Sequence, residues 1–320
     1  MPAKSSRSAP ALGSLLLTAA LILTAAVSLA SNHNITQSLS AASPSAAGSK
    51  ASRPRATPTP LPLPANLAIP RYVRGTEPFS DGQVLVYAAS WEGIPAGEAR
   101  IRMAHSKPHP GWWTGEMWIT SSALVDKLYR MRDYFREDFA FTSWQPVEID
   151  ILQHEKQRKD HWVATFDQPH QLVTAIKTNK AGRTSIRRFS GGDPWGPFSG
   201  AMMALSQPLT PGRSYTFDIF SGGNRYVFTF AVQGREQITT GLGAFNALRI
   251  EPAVLWLSDG SFRSQAHATT LWVTDDARHL PLRIESAVFI GSVIVDLTNV
   301  IEGPGTASRS SANTPVALSR

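Results

Sequence analysis

The chain has no cysteine, which excludes disulfide bonds, thiolate metal ligands and an acylated cysteine at a leader cleavage site. Acidic residues are missing from its start: Glu77 is the first of 24. Seven of the 31 Lys and Arg residues precede Glu77, so the rest of the chain carries equal numbers of basic and acidic side chains. The net charge of +7 therefore belongs to the N-terminal portion, and nothing downstream supplies the basic excess that a polyphosphate ligand needs. No nucleic-acid partner is expected, and Arg183, Arg187 and Arg188 read as a solvated loop. Chemical motifs are equally sparse. The eight histidines (33, 105, 109, 154, 161, 170, 267 and 279) form no HExxH or related ligand spacing, so no metal and no cofactor is expected. Phe198-Ser199-Gly200 and Ser190-Gly191-Gly192 are only fragments of a nucleophile elbow. Gly222 and Gly223 lie between two alternating segments, which marks a hairpin turn and not a phosphate cradle. No catalytic residue is assigned.

Four regions follow from what is present. Lys4 and Arg7 precede an uncharged apolar stretch from Ala11 to Ala30 that ends in Ser28-Leu29-Ala30, small residues at the −3 and −1 positions of a cleavage site. Residues 1–30 thus read as an export signal, or as an uncleaved anchor, since such a stretch also just spans a bilayer. Residues 31–70 are rich in Ser, Ala, Thr and Pro and read as a spacer. Residues 71–302 form one domain, and 303–320 a polar tail.

Within the domain, period-two alternation dominates. Tyr215, Phe217 and Ile219 alternate with Thr216 and Asp218; Tyr226, Phe228, Phe230 and Val232 repeat the pattern, as do Val293, Val295 and Leu297. Strand signals also cover 83–90, 98–104, 112–122, 134–141, 147–153, 161–166, 172–178, 245–251 and 266–274. Helical signals are few: Ser122–Met131, with Leu124, Leu128 and Met131 at i, i+4 and i+7 behind a serine cap, and a turn or two over Phe198–Leu205. The expected fold is all-β and mainly antiparallel, a large curved sheet forming a closed or half-open barrel or a sandwich.

Nine tryptophans are the compositional surplus. Most should fill a broad barrel interior, but Trp faces also stack on sugar rings or line apolar cavities. Trp112 and Trp113 are adjacent on a strand, so one must point away from the core. The candidate ligand-binding residues are Trp91, Trp112, Trp113, Trp118, Arg132, Asp133, Trp272 and Asp275. Asp275 and Asp276 together could flank a reacting bond, although Asp in the DDARHLP context is expected to cap a turn. Arg249 and Glu251, like Arg283 and Glu285, share a strand face and suggest a ladder of solvated charges.

The segments PGRSYTFDIFSGGNRYVFTF, GREQITTGLGAFNALRIEP, LWVTDDARHLPLRIES and IGSVIVDL resemble the bacterial family called domain of unknown function 3108. GQVLVYAASWEGIPAGEARI is similar to its opening hairpin through Tyr87, Gly93 and Gly97, and LYRMRDYFREDF to its Arg-Asp segment through Arg132 and Asp133. GGDPWGPFSGAMMAL departs from the pattern, lacking the Arg expected after Leu205. The resemblance implies an exported, mostly β protein of the Gram-negative envelope and carries no established catalytic residues. The leading expectation is a non-enzymatic periplasmic module that binds or carries a lipid, an acyl chain or an envelope polymer, membrane-proximal only through its N-terminal segment. The alternatives are a scaffold that recognises another envelope protein through a sheet edge or the spacer, and a glycan or peptide hydrolase using Asp133, Asp275 or Asp276.

Overall fold

The computed structural model describes residues 59–60, 68–258, 261–265, 268–287 and 291–304. The expected signal, spacer and tail fall outside these residues, apart from 59–60, 68–70 and 303–304. The described residues form sixteen strands of one sheet. The first half of the chain gives β1 (Thr59–Pro60), β2 (Gln83–Trp91), β3 (Ile94–His105), β4 (Trp112–Ser121), β5 (Arg132–Ala140), β6 (Pro146–Glu155), β7 (Arg158–Asp167), β8 (Leu172–Thr178) and β9 (Thr184–Ser190). The second half gives β10 (Ser214–Ser221), β11 (Asn224–Thr240), β12 (Gly243–Ser258), β13 (Ser261–Gln265), β14 (Thr269–Thr274), β15 (Pro281–Ala287) and β16 (Ser292–Ile301). Two short helices complete it, α1 (Ala123–Tyr129) and α2 (Pro197–Leu205).

Neighbouring strands follow the order β1-β9-β8-β7-β6-β5-β4-β3-β2-β16-β15-β14-β12-β11-β10, with β13 also paired to β12. All pairings are antiparallel except that of β1 with β9. The two ends of this order meet without a shared ladder. Phe220 on β10 packs against Phe189 on β9, with ring centroids 5.2 Å apart, and against Phe166 on β7 at 5.8 Å. Only a single bridge, Trp195 to Ile219, lies along the outer edge of β10 among the described residues. The sheet is a half-open barrel whose seam is held by side chains.

Alternation dictates what the interior contains. Leu85 and Tyr87, Ile101 and Met103, Trp113 and Met117, and Phe135 and Phe139 all point inward and are buried. Fully burying one such side chain contributes about 1.5–3 kcal/mol. Trp113, Trp144, Trp162 and Trp256 are buried as well, so four tryptophans are packing residues. The remaining volume is taken by α2, all nine residues of which are buried. Gly115 on β4 makes room for it, since a Cβ there would lie 2.5 Å from Cγ of Phe198. Gly115→Ala should therefore displace α2 and cost about 1–3 kcal/mol in urea unfolding, the usual penalty of overpacking; an unchanged midpoint would show that α2 yields freely.

Two sequence expectations need correction. The segment Thr184–Ser190, expected as a loop around Arg187 and Arg188, is a strand paired along its length with β8. Its residues Thr184 to Arg187 are all exposed, so no buried alternation was there to read. Helix α1 is present, and the Ser122 hydroxyl accepts a hydrogen bond from the Val125 amide at 3.3 Å as a cap should. Its orientation differs, because Val125 and Tyr129 face the core while Leu124 and Leu128 face outward. Both pairs are spaced i, i+4, and spacing alone does not choose between them. Arg249 does pair with Glu251, at 2.7 Å, but Arg283 reaches across to Asp296 on β16, at 2.5 Å, instead of to Glu285.

Candidate functional site

On the outer face, register assembles a site from three strands. Arg102 on β3 stands opposite Glu116 on β4, which stands opposite Arg136 on β5. The neighbouring row runs Arg100, Trp118, Tyr134. Glu116 accepts hydrogen bonds from Arg102 Nη1 at 3.0 Å and from the Tyr134 hydroxyl at 2.8 Å. Asp138 accepts from Arg136 Nη2 at 2.6 Å and from the Thr114 hydroxyl at 2.7 Å. Burial and then the Glu116 carboxylate push the Tyr134 phenol above its ordinary range, so it remains a donor. Beside this cluster, Trp118 is 38% exposed and its ring lies 5.5 Å from that of Tyr134. His105 at the end of β3 and Lys107 in the loop after it border the row, leaving a surface cleft of about 280 Å³. Charged planar groups thus border an open space, with an aromatic face next to it.

The inner face of β5 carries a different chemistry. Asp133, 2% exposed, accepts a hydrogen bond from the His154 amide at 2.8 Å. Burial, then the charge of Glu155, pushes its carboxyl up to about 8. Glu155 in turn accepts a hydrogen bond from the Tyr129 hydroxyl of α1 at 2.7 Å. A negative charge beside a buried carboxyl favours its protonated form, which is the direction of the Asp133 shift. Further along β5, Glu137 accepts from the amides of Phe198 at 2.6 Å and Ser199 at 3.2 Å, capping the N-terminus of α2. Gly196, at the cap position, has no side chain to do so. A Cβ there would sit 2.2 Å from the Glu137 carboxylate, so glycine is what lets a distant strand cap this helix. Burial pushes Glu137 up to about 7 despite these donors.

The residues singled out in the sequence are scattered. Trp118 lies in the outer row, Trp113 is a core residue 1% exposed, and Trp112 is half-buried with its ring 4.2 Å from that of His109. Trp91 ends β2, packed partly against the core. Arg132 and Asp133 take opposite faces: Arg132 pairs with Asp126 of α1 at 2.6 Å, beside the Ser121 hydroxyl. Trp272 donates its indole N–H to Glu236, and Asp275 pairs with Arg235 at 2.7 Å, on the other half of the sheet. Asp276 accepts from the Thr274 hydroxyl at 2.7 Å and the Arg278 amide at 2.9 Å, holding the turn. Arg102, Glu116, Tyr134 and Arg136 were not singled out, nor were Tyr129 and Glu155. Each site joins residues from separate strands, and only the pairing order would have revealed them.

A family model described as "Protein of unknown function (DUF3108)" matches residues 86–298. The chain belongs to this family. The outer row from Arg102 to Arg136, the acid pair Asp133 and Glu155, and α2 of this DUF3108 protein all lie within the matched span. Among solved structures, it resembles a β-barrel-like protein of the DUF1849 family from Brucella abortus at 6% identity, covering 69% of this chain and 97% of the other, with a TM-score of 0.47. It is also similar to a candidate exported protein with a YmcC-like fold from Bacteroides fragilis, at 10% identity, 72% and 100% coverage and a TM-score of 0.30. A candidate lipoprotein from Parabacteroides distasonis gives 12% identity, 71% and 99% coverage and a TM-score of 0.30. No curated protein matches the sequence of this DUF3108 chain.

Proposed function

We propose that this DUF3108 protein is a non-enzymatic module of the bacterial envelope, exported through residues 1–30, that binds a glycan segment of an envelope polymer in the outer cleft of β3–β5. The observation that carries this reading is the composition of the cleft. Arg102 and Arg136 are planar groups held by Glu116 and Asp138 respectively, and Trp118 offers an exposed ring beside them. Sugar rings present hydroxyls to such groups and C–H faces to such rings. Carriage of an acyl chain inside the barrel fits less well, because α2 stands in that space with every residue buried. A hydrolytic reading is disfavoured by the carboxylates themselves. Glu116 and Asp138 are each engaged by two donors, Asp275 is paired, Asp276 holds a turn, and Asp133 is buried.

Soluble cell-wall and capsule oligosaccharides titrated against the purified protein, with tryptophan fluorescence as readout, test the proposal. Trp118→Ala should weaken binding about tenfold, equivalent to about 1.4 kcal/mol, and Arg136→Ala by a comparable amount. Absence of binding by the unaltered protein, or equal binding by both variants, would overturn it.

A further inference from the structure

Because β2, β4 and β6 run in one direction, three of their connections gather at one end of the barrel: the turn from Trp91 to Ile94, the α1 segment, and the turn from Glu155 to Arg158. Hydrogen bonds join them. The Ser122 amide and hydroxyl donate to the carbonyls of Ala96 and Pro95, both at 2.8 Å, and the Lys156 amide donates to the Arg130 carbonyl at 2.7 Å. This end carries exposed apolar side chains: Leu124 is 54% exposed, Leu128 65% and Ile94 42%. Leu124 and Leu128 share a face of α1, so they form a ridge and not scattered points.

The charges around the ridge are uneven. Lys127, Arg130 and Lys156 are exposed and have no salt-bridge partner among the described residues. The carboxylates nearby are engaged: Asp126 with Arg132, Glu155 with the Tyr129 hydroxyl, and Glu92 with the Ser292 amide at 2.6 Å. What this end presents outward is a leucine ridge flanked by unpaired cations. From the ridge and its cationic flank we infer that the α1 end of the barrel docks peripherally on an anionic phospholipid surface, Leu124 and Leu128 entering the interface while Lys127, Arg130 and Lys156 attract the headgroups. A protein groove would also accept leucines, but it offers no reason for the surrounding cations to remain unpaired. The anionic bilayer satisfies both features. The inference is independent of the glycan cleft, which lies on the barrel wall.

The absence of cysteine makes the test local. A single Leu128→Cys substitution in the full chain carries an environment-sensitive fluorophore, and a Ser143→Cys version, in the turn after β5 at the opposite end, serves as the control. Phosphatidylcholine vesicles with and without phosphatidylglycerol are added to each. Only the label at position 128 should shift its emission to the blue, and only with phosphatidylglycerol. Adding Lys127→Glu and Arg130→Glu, or about 0.5 M salt, should remove most of the shift. Since all these side chains are exposed, the variants should retain the parent's far-ultraviolet circular dichroism. No shift at 128, equal shifts at 128 and 143, or a shift that is the same on both kinds of vesicle would overturn the inference.

Discussion

Acidifying the protein from about pH 8 to about pH 5.5 is expected to raise its resistance to urea. The cause is the buried carboxyl groups of β5. Asp133 is pushed up to about 8 from an ordinary value of 3.8, and Glu137 to about 7 from 4.5, in both cases chiefly by burial. In the pH range between the ordinary and the raised values, the folded protein keeps protons that the unfolded chain has released. Unfolding then releases protons, so stability falls as pH rises from about 4 towards 8. Each group contributes a slope of about 1.4 kcal/mol per pH unit while its two states differ by a full proton. Asp218 is raised by burial too, and acts in the same direction. Asp126 and Asp160 are lowered, and the stability they supply is lost only below their ordinary value of 3.8, outside this window. Asp133→Asn should flatten the dependence, because an amide needs no proton to stay neutral beside Glu155. Urea midpoints that are constant, or that increase, between pH 5.5 and 8 would contradict this account of the interior.

Arg225→Ala is expected to be among the most damaging single substitutions outside the apolar core, at about 3–5 kcal/mol. The Arg225 guanidinium is buried against Asp218, donating from Nε to Oδ1 at 2.7 Å and from Nη2 to Oδ2, and it reaches the Gly191 carbonyl from Nη1 at 3.0 Å. Truncation leaves the Asp218 carboxylate buried without its partner and unties the chain after β9 from the β10–β11 hairpin. Replacing both residues at once, as Asp218→Leu with Arg225→Met, removes the stranded charge and should recover most of the loss. A double-mutant cycle by urea denaturation decides the matter. A single-substitution cost below about 1 kcal/mol would mean that the pair is compensated elsewhere.

Much of the architecture was legible because alternation is a local property. Tyr226, Phe228, Phe230 and Val232 announce a strand without reference to any partner, and so many such segments with so few helical ones imply a curved sheet. Pairing is not local. The match of Val84 with Ile301 joins positions that no periodicity connects. Thr184–Ser190 stayed hidden because its identity as a strand rests on hydrogen bonds to β8 and β1, not on a buried face. Leu124 and Leu128 misled for the opposite reason, an apolar spacing that the core did not use. The candidate sites follow the same logic. Asp133 stood out in the sequence, but its meaning depends on Glu155, a strand away; Trp118 stood out too, while the Arg102, Glu116 and Arg136 row that gives it a context exists only in register.

The pairing of β2 with β16 places the first and last long strands of the domain side by side in the middle of the sheet, where Gln83 also donates a hydrogen bond to Glu302 at 3.1 Å. The outer edges, by contrast, belong mostly to the middle of the chain: β10 on one side, and on the other β9, of which β1 covers only Phe189 and Ser190. In time, this inverts the usual order of assembly. Hairpins such as β6–β7 can form as soon as their residues emerge, yet the central ladder must wait for residues some two hundred positions later, a slow, long-range closure. A chain released before Ser292 would hold two finished half-sheets with raw edges at β2 and β15, the kind of surface on which stray strands pair. Cutting the chain instead between β9 and β10, and joining residue 302 to residue 83 by a short linker, would keep every antiparallel ladder of the sheet and lose only the two-residue pairing of β1 with β9. Such a circular permutant would bring the central strands together from the outset.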